Sequence, residues 1–132
     1  MKITVDTNVL VRAVVHDDPR QSRAADKALK QATLIAVSLP CLCEFVWVLR
    51  RVYGLADTAI AIAIRALLDA GNVVTNRPAA EAGLVILEAG GDFADGVMAY
   101  EGAWLGADTF VSFDKQAVAL LSKQGHEARL LS

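Results

Sequence analysis

Short runs of strand character alternate with helical stretches along this chain from one end to the other. Lys2–Val5, Leu34–Val37, Asn72–Thr75, Thr109–Ser112 and Ala128–Leu131 read as strands. The helical stretches are Asn8–Val15, Arg20–Gln31, Pro40 to about Tyr53, Asp57 to Gly71, Pro78–Glu88, Asp92 to about Leu105, and Lys115–Gln124. Strands separated by helices cannot form hairpins; they run parallel, and a parallel sheet needs helices over both faces. The expected fold class is α/β: a three-layer sandwich with a mostly parallel central sheet flanked by helices. A chain of 132 residues suffices for one such domain, spanning 1–132, and not for two. Hydrophobic residues make up 55% of it and aromatics only 6%, a mixture that suits helices on a small sheet and excludes disorder.

The boundaries have local chemistry. Asp18-Pro19 reads as an N-cap followed by proline at the first helical position, and Ser38 with Pro40 opens the next helix similarly. Gly54 and Gly90-Gly91 stop helices, and Asp57 reads as the cap of the helix that ends at Gly71. Within that helix, Ala59-Ile60-Ala61-Ile62-Ala63-Ile64 alternates like a strand, but alanine is the best helix former and a poor strand former. Helix is expected there, with Ile60, Ile64, Leu67 and Leu68 in one stripe and Ile62 pointing away, either inside the domain or against a partner.

Several function classes drop out. The longest uncharged run, between Lys30 and Glu44, is interrupted by Pro40 and falls short of the roughly 20 apolar residues of a membrane span. Asp6 comes too early for the apolar core of a secretory signal. Cys41 and Cys43, two apart on a helix, can neither pair nor supply a zinc site, and are expected as buried residues in a reducing, cytoplasmic setting. The formal net charge of −2 argues against a basic wrapper for nucleic acid.

The acids themselves are placed unusually. Asp6 and Asp114 follow strands directly, at the sheet edge where α/β folds gather their ligands. Glu44 is the lone charge among Cys43, Phe45, Val46, Trp47 and Val48, and needs a cation, a salt bridge to Arg50 or Arg51, or solvent. Asp92-Phe93-Ala94-Asp95 resembles a capping box, which accounts for Asp92 better than for Asp95. Carboxylates that converge from separate elements repel unless a divalent cation lies between them, and hard oxygen ligands suit Mg²⁺ or Mn²⁺.

Val5-Asp6-Thr7-Asn8-Val9-Leu10, the isolated Glu44, Asp92-Phe93-Ala94-Asp95 and Phe110-Val111-Ser112-Phe113-Asp114 follow one another in the order of a PIN-domain ribonuclease. The His16-Asp17-Asp18-Pro19 turn and the overall length resemble the VapC toxins of bacterial toxin–antitoxin pairs. The resemblance covers essentially the whole chain. It implies a PIN-like fold and an Mg²⁺- or Mn²⁺-dependent endoribonuclease acting on structured RNA with one or two ions. It also implies that Asp6, Glu44, Asp95 and Asp114 form the catalytic, metal-holding quartet. Asn8 would orient Asp6, Ser112 would contact metal, water or phosphate, and Asp92 would stand just outside the ligands. A homodimer and a small VapB-type antitoxin partner are further implications.

Other residues read more plainly. His16 and His126 lie far from the acidic motifs, and Lys115 reads as a surface helix-start residue. Arg12, one turn beyond Asn8, could face RNA or a partner, while Trp47, three residues from Glu44, reads as core packing, with base stacking the alternative. Arg20, Arg23, Lys27 and Lys30 form a basic run that is a solvated face or a backbone track for RNA. Two rival functions remain: a catalytically silent PIN-like binding module, and a phosphoacceptor receiver domain. The receiver lacks support, because Asp6 is followed by Thr7-Asn8 and Asp57 opens a helix. Setting aside the four candidate ligands leaves the rest of the chain at +2, so the acidity belongs to the motifs rather than to the whole surface.

Overall fold

The computed structural model describes all residues, Met1–Ser132, and they gather into two compact units, Met1–Arg77 and Pro78–Ser132. The first unit runs β1 (Lys2–Thr4), α1 (Thr7–Val14), α2 (Pro19–Gln31), β2 (Leu34–Ala36), α3 (Leu39–Arg51), α4 (Asp57–Asp69) and β3 (Val73–Val74). The second follows with α5 (Arg77–Glu88), α6 (Phe93–Trp104), β4 (Phe110–Ser112), α7 (Lys115–Lys123) and β5 (Ala128–Leu130). The α/β alternation expected from the sequence is therefore observed, with seven helices and parallel strands. The hydrogen-bonded ladders form two sheets, β1-β2-β3 and β4-β5, where a single central sheet was expected. Every ladder is parallel.

In residues 1–77, Ile3 pairs with Ile35 and Ile35 with Val73, so one buried isoleucine anchors the middle strand. The core consists of the inward stripes of the helices: Leu10 and Val11 from α1, Leu42, Phe45 and Leu49 from α3, Ile60 and Ile64 from α4. Helix α1 packs on α2 and α3, and α3 on α4. The alternating Ala-Ile run is helical, and Ile62 is 69% exposed while its neighbours Ile60 and Ile64 are fully buried. The 3.6-residue period of the helix thus overrides the period-two pattern. Trp47 is a correction: it is 58% exposed rather than in the core, because Phe45, Val46 and Leu49 already occupy the inward face of α3.

The caps explain where the helices start. Asp18 accepts from the Gln21 N–H and Ser38 from the Cys41 N–H, with prolines at the first helical turn in both cases. Asp57 differs from expectation. Ala56 occupies the cap position without a side-chain bond, and Asp57, the first helical residue, instead receives Nε and Nη2 of Arg50 at 3.0 and 2.9 Å. That ion pair ties the end of α3 to the start of α4.

In residues 78–132, Ile86, Ala99 and Leu121 form a buried cluster against which Phe110, Leu120 and Ala128 pack. Helices α5 and α6 cross where both carry glycine. A Cβ on Gly96 would stand 2.9 Å from Gly83 Cα and press on the Ala82 carbonyl, and one on Gly83 would stand 2.7 Å from the Phe93 ring. This close approach fixes the start of α6, which carries Asp92 and Asp95.

Candidate active site

Asp6 is the N-cap of α1, immediately after β1, and its Oδ1 accepts the Val9 N–H at 3.2 Å. Asp114 plays the same part after β4: its Oδ1 accepts from the N–H groups of Gln116 at 2.9 Å and Ala117 at 3.2 Å. Both carboxylates are exposed, and in both the capping bonds use one oxygen and leave Oδ2 to the outside. A strand-to-helix junction holds the acid in a narrow orientation, because the cap bond forms only when the side chain folds back over the first turn.

Glu44, on α3, is exposed. The salt bridge to Arg50 that would explain it structurally is not formed, since Arg50 holds Asp57. Burial pushes the Cys41 thiol above its ordinary range, opposed by a hydrogen bond with Thr7 and reinforced by the negative charges of Asp6 and Glu44. Both carboxylates therefore lie within electrostatic reach of one side chain, which puts Asp6 and Glu44 in one neighbourhood. Cys41 is buried and Cys43 half-buried, and neither is in a disulfide. With its thiol pushed up, Cys41 is a packing residue rather than a nucleophile.

A second acidic neighbourhood forms in residues 78–132. Asp92 caps α6 through the Ala94 N–H at 3.1 Å, leaving Asp95 half-buried in the first turn. Burial, followed by the charges of Asp92 and Asp114, raises the Asp95 carboxyl to about 6. Ser112, the last residue of β4, accepts the Asp114 N–H at Oγ (2.9 Å), so it shapes the turn that presents Asp114 while its hydroxyl proton remains free to donate. The charges of Asp92 and Asp114 thus both reach Asp95, as those of Asp6 and Glu44 both reach Cys41. No group of three or more His, Cys, Asp or Glu side chains stands close enough to hold a metal ion by itself. The donors are all carboxylate oxygens, the hard set that suits Mg²⁺ or Mn²⁺ rather than zinc.

Sequence reasoning missed how Arg12 is held. Its Nη1 donates to Asp17 Oδ1, and the Tyr53 hydroxyl donates to Asp17 Oδ2 at 3.2 Å. Burial pushes the Asp17 carboxyl up, but the bonds from Tyr53 and Arg12 outweigh it and leave Asp17 below the ordinary range. The Nε of Arg12 is buried without a partner. Arg12 lines a groove of about 370 Å³ together with Asp6 and Asn8, with Gln21, Ala24, Ala25 and Ala28 of α2 along one side. The only signal in the sequence was the spacing of Arg12 one turn beyond Asn8; Tyr53 lies 36 residues from Asp17 and gave none. His16 is exposed, and His126 lines a small cavity with Asp108 and Glu127, apart from the acidic motifs.

No curated protein matches this chain. A family model does: the PIN domain, over residues 3–120, a span that includes Asp6, Asn8, Glu44, Asp92, Asp95, Ser112 and Asp114. Parallel strands that end in capping aspartates, an acid opening α6 and a match over most of the chain agree, and the chain belongs to the PIN-domain family.

Proposed function

We propose that this protein is an Mg²⁺- or Mn²⁺-dependent endoribonuclease, its 132 residues acting as one PIN-like domain. PIN domains are generally metal-dependent nucleases. The observation that carries the reading is the crowding of acids around Asp95: its carboxyl is raised to about 6 by burial and by Asp92 and Asp114, with no basic group among the causes. Structural carboxylates are normally arranged the other way, beside cations or hydrogen-bond donors that lower them.

On this reading Asp6, Glu44, Asp95 and Asp114 hold the metal, one ion or two. Asn8 orients Asp6, and Ser112 keeps Asp114 at the head of α7 and offers its proton to phosphate or water. Asp92 tightens the negative field around Asp95. A divalent cation held by these residues would supply charge neutralisation at the scissile phosphodiester and a lowered pKa for a water. The chain's own contribution is to fix Asp6 and Asp114 at strand-to-helix junctions, where each cap bond holds the carboxylate in one orientation. Neither histidine takes part. The resemblance to VapC carries the rest: the toxin of a toxin–antitoxin pair, a homodimer in the cytoplasm, restrained by a small VapB-type antitoxin.

The test is cleavage of total RNA by the purified protein, free of any antitoxin, with Mg²⁺ or Mn²⁺, beside a chelator control. Asp6→Asn and Asp114→Asn are the informative variants, because asparagine keeps the helix cap while removing the charged oxygen. Loss of cleavage of about a hundredfold or more in each is expected, in line with the cost of removing a metal ligand or its support. Cleavage that survives chelation or either substitution overturns the mechanism. Inactivity of the intact protein on every RNA favours a binding module.

A further inference from the structure

Charge is divided unevenly along the chain. Residues 1–77 carry ten Lys and Arg against seven Asp and Glu, a net +3, while residues 78–132 carry three against eight, a net −5. Part of the excess sits on a single helix face. Arg20, Arg23, Lys27 and Lys30 of α2 are all exposed, and none of them is engaged in an ion pair. Their spacings of three, four and three residues put them in one line about 15 Å long at the 1.5 Å rise of a helix. The buried residues of α2, Ser22 and Ala25, lie on the opposite side, and Asp26, its only acid, is half-buried beside the line. Between the two faces come Gln21, Ala24 and Ala28, which form one wall of the groove that holds Asp6, Asn8 and Arg12. The alanines leave that wall low.

We propose that the Arg20–Arg23–Lys27–Lys30 line of α2 is the track that binds the phosphate backbone of an RNA strand and leads it over the low alanine wall into the groove containing Asp6. A row of unpaired, fully solvated cations gains little from intramolecular pairing, and costs little to present to phosphates, which release their own counterions on binding. Arg12, fixed by Asp17, lines the groove beyond that wall and adds a further positive charge there. The direction of the track toward Asp6 rests on the ribonuclease reading; the binding of RNA by α2 does not.

The experiment measures binding of a fluorescently labelled RNA hairpin to the full chain by anisotropy, with chelator present so that nothing is cut. The variant Arg20→Gln/Arg23→Gln/Lys27→Gln/Lys30→Gln is compared with Lys123→Gln/Arg129→Gln, which removes exposed cations elsewhere. Circular dichroism confirms that both remain folded. The α2 variant is expected to bind about tenfold or more weakly, and to lower the slope of log affinity against log salt by about 3, at roughly 0.7 per phosphate contact on a single strand. The control is expected to change neither. An unchanged slope in the α2 variant overturns the proposal. So does absence of RNA binding by the unaltered chain at low salt, which would assign the stripe to an acidic protein partner instead. If the unaltered chain cleaves RNA and the α2 variant does so with the same salt dependence, the track fails and the ribonuclease reading stands. If the unaltered chain cleaves nothing yet the α2 variant loses binding and slope, the track stands and the ribonuclease reading fails.

Discussion

Asp6 and Asp114 each cap a helix with one oxygen of the carboxylate. Oδ1 closes the first turn of a helix and Oδ2 is left facing outward. The cap accounts for one oxygen of each, and on the proposed function the other is offered to a metal. Asp95 is the contrasting case: it satisfies nothing in the fold, and its surroundings oppose its charge. With its carboxyl raised from the ordinary 3.8 to about 6, the folded protein holds a proton that the unfolded chain releases between those values. Stability from this group is thus present below about pH 4, is lost as pH rises toward 6, and stays lost above that. A shift of about two units corresponds to about 3 kcal/mol at full strength, and solvent screening of a half-exposed group reduces it to about 1 kcal/mol. Asp95→Asn should therefore be about 1 kcal/mol more stable than the parent at pH 7.5 and equal to it near pH 4, while losing cleavage. Urea denaturation at the two pH values, alongside the RNA assay, checks both halves.

Among the elements, α6 depends most on a single spacing. Its first turn carries Asp92 and Asp95, and it lies against α5 where Gly96 meets the Ala82 carbonyl and Gly83. Gly96→Ala should cost about 3 kcal/mol, the upper part of the range for forced overpacking, because the atoms in the way are backbone and cannot rotate aside. A fall in the urea midpoint of that size, with an unchanged denaturant slope, is the expected result. Gly102, further along α6, has open space around it, and Gly102→Ala should stabilise slightly through helix propensity. A large loss in Gly102→Ala as well would show that propensity or unfolding elsewhere, and not the crossing, governs the response. The glycines looked alike in the sequence; the crossing distinguishes them.

For the molecule as a whole, the proposed metal makes stability depend on divalent cation. An ion that binds the folded chain at ten times its dissociation constant adds about 1.4 kcal/mol, or a few degrees in melting temperature. Mn²⁺ should raise the melting temperature of the unaltered chain by that amount. Asp6→Asn and Asp114→Asn should each abolish the rise without much altering the metal-free melting temperature, since both keep their caps. Differential scanning fluorimetry across an Mn²⁺ titration measures it without reference to activity. An equal rise in all three proteins would detach the metal from these residues.

The sequence by itself determined the order and type of the elements. Helix starts are set by residues within four positions of one another, as at Asp18-Pro19 and Ser38, and strands separated by helices have little choice but to run parallel. It also carried the acidic motifs, because each is contiguous and sits at an element boundary. What only the tertiary structure decided were matters of contact between distant segments. Trp47 is outside because Phe45, Val46 and Leu49 fill the inward face of α3, and Asp57 is an ion-pair partner because Arg50 reaches it from the preceding helix. Arg12 is held by an aspartate that a tyrosine 36 residues away also binds. Local chemistry acts through neighbouring backbone groups and is written along the chain, whereas burial and pairing depend on which surfaces meet, and no single stretch of sequence contains both sides.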